Sequence, residues 1–207
     1  MMKYIFWDFN GTILDDAMLC YNILNEMLVE EERPTVTFDA YLKIFTFPVK
    51  DYYALVYDLN KTSFEELAHR FIKRYQPRSL LCDLHEDVVD TILYYESLGY
   101  VNVLLSASEE TNLIEQLKHF KIEHLFKHIL GTKNIYAKTK HDVAKQFIKT
   151  HHINPKDVVM IGDTLHDCEI ADDLGCQMVV YTKGHQHPSR FTNYRTINSF
   201  KELKKII

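Results

Sequence analysis

An apolar strand that runs straight into a carboxylate most narrows the folds open to this chain. Residues 3–16 read KYIFWDFNGTILDD, so Ile5, Phe6 and Trp7 lead directly to Asp8. A buried strand excludes an unpaired charge; Asp8 therefore marks where the strand leaves the core, and Gly11 lets the backbone turn sharply beneath it. The arrangement recurs downstream. Residues 101–106, VNVLLS, close on Ser106, and residues 157–163, DVVMIGD, close on Gly162 and Asp163. In an open parallel sheet, ligands bind outside the carboxyl ends of the strands where connections diverge to opposite faces, so these three tips are candidates for one crevice.

Between and after the tips, helical and strand periods alternate. Glu86–Leu98 reads as a helix ended by Gly99, and Tyr100–Ser106 as a strand. Helices are predicted over Thr111–Phe120 and His141–His151, another closes at Ile170–Leu174 before Gly175, and a short one lies near Lys201–Ile207. Strands are predicted at His128–Leu130, Val158–Ile161 and Gln177–Thr182. The alternation predicts an α/β fold, a Rossmann-like, mostly parallel sheet flanked by helices.

Residues 16–82 do not alternate. Ala17, Cys20, Tyr21, Leu24, Met27 and Leu28 share one helical face, as do Phe64, Leu67, Ala68, Phe71, Ile72 and Tyr75. Thr37–Leu59, rich in Tyr and Phe and broken by Pro48, reads as helical in pieces. Crossings between this insert and the sheet are expected near Leu14–Asp16 and Gln76–Asp83, with Pro77 interrupting any helix. Asp15 and Asp16 read as the start of the first inserted helix.

Composition excludes several classes. At 207 residues, 46% hydrophobic and with only 6 Gly and 5 Pro, the chain can bury a substantial core. A formal charge of -5 with scattered Lys and Arg argues against nucleic acid as a partner. No run reaches membrane-spanning length, and the opening strand does not read as a secretory leader, so no membrane partner and a cytoplasmic location are expected. Cys20, Cys82, Cys168 and Cys176 show no Cys-x-x-Cys spacing and read as reduced core thiols.

Taken together, Asp8-Phe9-Asn10-Gly11-Thr12, Ser106 at a strand end, a lysine opening a helix at Lys140 or Lys138, and GDTLHD with Asp163 and Asp167 resemble the four motifs of the haloacid dehalogenase-like hydrolases, in their order and over nearly the whole chain. DFNGT, YAKTK, GDTLHD and KGHQ look most like its phosphoglycolate-phosphatase-like subgroup. The resemblance implies a catalytic core of residues 1–15 and 83–207, with a helical cap at 16–82. It implies a phosphatase in which Asp8 attacks phosphorus and water hydrolyses the aspartyl-phosphate. Magnesium would be held by Asp8, the backbone carbonyl of Asn10, Asp163 and Asp167. Ser106 and Lys140, with Lys138 as second choice, would bind the transferring oxygens, and Phe9, Thr12 and Ala107 would complete the substrate site. The partner implied is a small phosphorylated molecule, the protein a monomer or homodimer.

Each residue also has a bland reading. Ser106 with Glu109 forms a capping-box pattern, Asp163 and Asp167 suit a helix start, and the lysines suit a solvated face. His151, His152, His185 and His187 read as exposed loop histidines. The departure from the family pattern is Asn10, where most of these phosphatases carry an acid-base aspartate. An amide cannot transfer that proton, so either good leaving groups or a neighbour such as His166 or Asp15 is expected to compensate. Binding of metal and phosphate with little turnover is the rival class. A dehalogenase would leave Asp163 and Asp167 without a charge partner, and a phosphonate hydrolase would want a cap lysine such as Lys43, Lys50 or Lys61. Phe45, Phe47, Tyr52 and Tyr53 offer either an apolar wall over the site or the insert's own core; Lys50, Arg70 and Arg74 could select an anionic group.

Overall fold

Strands β1 (Tyr4–Trp7), β2 (Val101–Glu109), β3 (His128–Thr132), β4 (Val158–Gly162), β5 (Gln177–Tyr181) and β6 (Arg195–Ile197) pair in the order β3-β2-β1-β4-β5-β6, every pairing parallel. This is a computed structural model that describes residues 2–132 and 139–207. From β1 the chain builds outward to β2 and β3, then returns to the other side of β1 for β4. The order therefore reverses at the β1–β4 junction, and that is where an open sheet offers its crevice. Trp7 pairs with Leu104 on one side and Ile161 on the other, so Asp8, Ser106 and Asp163 all come at the same carboxyl end of the central strands.

Helices cover both faces, which is why the strands are apolar on both sides. Ile5, Trp7 and Leu104 pack with Ile92 and Tyr95 of α5 (Val88–Ser97), Leu113 and Leu117 of α6 (Glu110–His119) and Phe200 of α9 (Phe200–Leu203). Phe6, Val103 and Met160 face the opposite way, against Phe147 of α7 (Lys140–Thr150) and Ile170 of α8 (Leu165–Leu174).

The insert forms α1 (Ala17–Glu30), α2 (Phe38–Ile44), α3 (Val49–Val56) and α4 (Phe64–Ser79) around a core of its own that includes Ile23, Leu24, Met27, Tyr41, Tyr53 and Leu67. The chain's two crossings lie side by side: Asp15 N–H donates to Asp83 O at 2.9 Å and His85 N–H to Ile13 O at 2.9 Å.

Three expectations need correction. Pro77 does not interrupt α4 but sits within its last turn, where its missing N–H costs one hydrogen bond. β2 continues past Ser106 to Glu109, and a sixth strand, too short to show a period, closes the sheet. Asp16 precedes α1 but makes no side-chain cap; its carboxylate is used elsewhere.

Candidate functional site

The β1–β4 junction gathers charge that a protein interior normally excludes. Asp8, Asp163, Asp167 and Lys140 are all buried, and the three carboxylates each bring an oxygen within 4.8 Å of the others. Local structure puts them there. Asp8 follows β1, its N–H bonded to Ile161 O at 2.8 Å, and Asp163 follows β4. Asp167 is the third residue of α8, where it completes a capping box with Thr164. Lys140 opens α7 behind a second capping box, Thr139 with Asp142. The Lys140 ammonium bonds Asp8 Oδ1 and, at 2.6 Å, Asp167 Oδ1. Thr12 Oγ1 lies 3.2 Å from Asp8 Oδ2 and 3.1 Å from Asp163 Oδ1, bridging the two tips.

The bland readings resolve residue by residue. Asp167 is a helix-start acid, but its other oxygen serves Lys140. Ser106 is no helix cap; it is buried within β2, its hydroxyl accepting from Ser108 N–H at 3.1 Å, while Glu109 caps α6. Phe9 is fully buried, so only its backbone is available to a ligand, and Ala107 is exposed at the strand end. Lys138 lies outside the described residues.

Electrostatics explain what the cluster lacks. Burial pushes the Asp8 carboxyl well above the usual range although Lys140 opposes it, and burial lifts Asp163 to about 6. Asp167 is buried too, yet the Lys140 ammonium holds it low. Asp8 and Asp167 share the Lys140 ammonium and Asp163 has no lysine of its own, so the three acids are short of positive charge. A hard, oxygen-preferring divalent cation fits that donor set. Replacing Lys140 by Met would widen the deficit, so Lys140→Met should cost about 3–5 kcal/mol at pH 7, read from urea unfolding. The loss should shrink toward pH 5, because carboxyls whose folded pKa is raised cost the fold least when protonated. A loss that is the same at both pH values would contradict this account.

Beside the acids lies a polar network that sequence reasoning missed. Asp16 is fully buried; its Oδ1 accepts from Gly11 N–H at 2.7 Å and His185 Nε2 at 3.1 Å, its Oδ2 from Tyr75 Oη at 2.5 Å and Asn10 Nδ2 at 3.0 Å. His185, expected in an exposed loop, is 4% exposed, because its N–H holds Asp163 Oδ2 at 2.6 Å and its Nδ1 meets Tyr41 Oη at 2.9 Å. Burial works against the imidazolium, but Asp16 outweighs it and raises His185 to about 9, so the pair is ionised at neutral pH. The cluster Asp16, Cys20 and His185 has metal-ligand proximity, yet the Asp16 oxygens are already filled by four donors. Gly11, at φ 74°, is required here twice over: for its left-handed backbone, and because a Cβ would strike Asp163 and His185.

The Asn10 side chain is held at both ends. Nδ2 donates to Asp16 and to Tyr75 Oη at 2.6 Å, while Oδ1 accepts from Ser108 Oγ at 2.9 Å. Neither neighbour expected to compensate for Asn10 contacts it: the Asp15 side chain is 54% exposed near His85, and His166 stacks on Phe47. Tyr75 comes from α4, so it ties the insert to the loop after β1. Removing only its hydroxyl, Tyr75→Phe, should lower stability by about 1.5–3 kcal/mol, the range for a bond to a charged group. It should also speed hydrogen exchange at residues 9–16 more than in the α1 core. Uniform exchange would show that the bond positions nothing.

Comparison with known proteins bears on the family and the fold. Residues 5–181 match the family model described as haloacid dehalogenase-like hydrolase. A phosphoglycolate phosphatase of Aliivibrio fischeri is 22% identical over 196 residues, covering 90% of this chain and 86% of that protein. A haloacid dehalogenase-like family hydrolase of Streptococcus pneumoniae superposes with a TM-score of 0.83 at 20% identity, covering 100% of this chain and 99% of its own. CbbY of Rhodobacter sphaeroides, solved in complex with phosphate, superposes at 0.76 with 17% identity over 98% of this chain and 96% of its own.

Proposed function

This chain belongs to the haloacid dehalogenase-like hydrolase family, and on that premise we propose that it is a magnesium-dependent phosphatase acting on a small phosphorylated molecule through Asp8. The observation that carries the reading is the buried cluster of Asp8, Asp163 and Asp167, with the Lys140 ammonium between Asp8 and Asp167, at the sheet's switch point. The relatives named as phosphoglycolate phosphatases support the reaction class. In this reading residues 1–15 and 83–207 are the catalytic core and 16–82 the cap. The four free cysteines support a reducing, cytoplasmic setting.

An Asp8 oxygen attacks phosphorus and the ester P–O bond breaks, its electron pair leaving with the alcohol oxygen, which takes up a proton. Water then attacks the same phosphorus, the P–O bond to Asp8 breaks, and inorganic phosphate departs. Dividing one displacement into two is the advantage of a covalent intermediate. Magnesium, held by Asp8, Asp163, Asp167 and the Asn10 carbonyl, would screen the repulsion between carboxylate and phosphate. Lys140 holds Asp8 in place and, with the Ser106 hydroxyl, offers donors to the transferring oxygens. Thr12 fixes the separation of Asp8 and Asp163. The amide of Asn10 favours a second reading, a phosphate- and metal-binding protein with weak or no turnover.

Phosphate release from a panel of aryl, acyl and alkyl phosphates, with and without magnesium, tests the proposal. Magnesium-dependent release is expected, and magnesium binding measured by calorimetry should weaken from pH 7.5 to pH 5 as Asp163 takes up a proton. Binding of magnesium and phosphate with no release from any ester would select the second reading.

A further inference from the structure

The helical insert turns an apolar corner toward the site. Phe45 stacks on His185 with ring centroids 4.8 Å apart and planes at 22°, and Phe47 stacks on His166 at 5.1 Å and 26°. The two phenylalanine rings meet edge to face at 5.6 Å. The His185 backbone N–H binds Asp163, and His166 immediately precedes Asp167, so the corner packs on two histidines that neighbour the carboxylate cluster. Tyr52 and Tyr53 are sealed in the insert's own core, whereas Phe47 stays half-buried and presents ring surface.

Cations of the insert are engaged by other partners or exposed to solvent. Arg70 and Arg74 bond Glu30 and Glu31, and Arg78 bonds Glu26, toward the far end of α1. At 1.5 Å per residue Glu30 stands about 20 Å along that helix from Asp16. Arg33 donates to Val56 O, and Lys43 pairs with Asp39 at the surface. Lys50, Lys61 and Lys73 are exposed. On the sheet side Arg190 donates to Phe45 O at 2.5 Å, and both ring nitrogens of His185 are engaged. Among the described residues the buried acids Asp8, Asp16, Asp163 and Asp167 face the cations Lys140 and His185; a magnesium ion would do no more than balance them, and the phosphate adds negative charge of its own, so a further carboxylate brought in with it would be buried against excess negative charge.

Resting on the phosphatase reading above, we propose that the group esterified to the phosphate is flat, apolar and uncharged, an aryl or aryl-like group seated against Phe47, and not a carboxylate-bearing acid such as glycolate. Asn10 points the same way independently. A phenolate can leave with its electron pair and collect a proton from water afterwards, so it does not need the acid that Asn10 cannot be.

The test uses two ligands that cannot be hydrolysed. Phenylphosphonate and phosphonoacetate carry the same phosphonate, one with a ring and one with a carboxylate, and calorimetry with magnesium reads their affinities without turnover. Phenylphosphonate should bind about tenfold tighter, and Phe47→Ala should narrow the ratio by about three- to tenfold, the range set by one aromatic contact. Phe47→Leu, which keeps most of the volume, should narrow it as well and guards against misfolding of the alanine variant. Equal or tighter binding of phosphonoacetate, or a ratio indifferent to both variants, overturns the inference while leaving the phosphatase reading intact. Silence from both phosphonates and from inorganic phosphate removes the phosphatase reading and the inference with it.

Discussion

Asp8→Asn should abolish phosphate release, by about 10⁴-fold or more, since removal of a nucleophile costs losses of that order. The amide keeps the shape and can still face Lys140 and Thr12, but it cannot form the acyl phosphate. The same change should not destabilise the metal-free protein. Burial raises the Asp8 pKa above its unfolded value, so at pH 7 the ionised form weakens the fold, and a neutral side chain relieves that cost. Thermal unfolding without magnesium should give a Tm equal to or above that of wild type. A variant that still releases phosphate at a tenth of the wild-type rate would remove Asp8 from the nucleophile's role. Activity and apo stability therefore oppose each other at this position.

Asn10→Asp is expected to act in the other direction. The new carboxyl would replace an amide that donates to Asp16 Oδ2 at 3.0 Å, so two carboxyls would face one another with Tyr75 between them. Two such groups cannot both ionise cheaply, and the pair should share a proton near neutral pH. A carboxyl that holds its proton is what a poor leaving group needs. Alkyl phosphate turnover should rise by about 10²-fold or more, within the range of general acid catalysis, while aryl phosphate turnover changes little. The comparison of ethyl phosphate with p-nitrophenyl phosphate in both proteins is decisive. Equal turnover of the two esters in wild type, with no alkyl gain in the variant, would show that Asn10 was never the deficit.

Prediction and structure part company where a residue's partners are distant in sequence. Asp16 sits before a helix and has the composition of a cap, so nothing local distinguishes it from one. Only the packing of α4 and of the 184–187 segment brings Tyr75 and His185 to it and turns it inward. His185 carried a faint signal, lying in the KGHQ stretch, but its burial depends on Phe45 and Tyr41 from another part of the chain. Arg70 and Arg74 read as candidate anion selectors until their glutamate partners on α1 are seen.

By itself the sequence determined the elements and the chemical vocabulary of the site. Apolar runs ending on Asp8 and Asp163 state where strands leave the core, and alternation with helical periods implies a parallel sheet, because both signals are local and periodic. Tertiary structure alone decided that Lys140 is shared by Asp8 and Asp167, that Asp16 and not Asp15 meets Asn10, and that Phe45 and Phe47 stack on His185 and His166. Those are contacts between side chains far apart along the chain. Their energies arise only when burial removes water and leaves each charge to find a partner among whatever the fold has brought near.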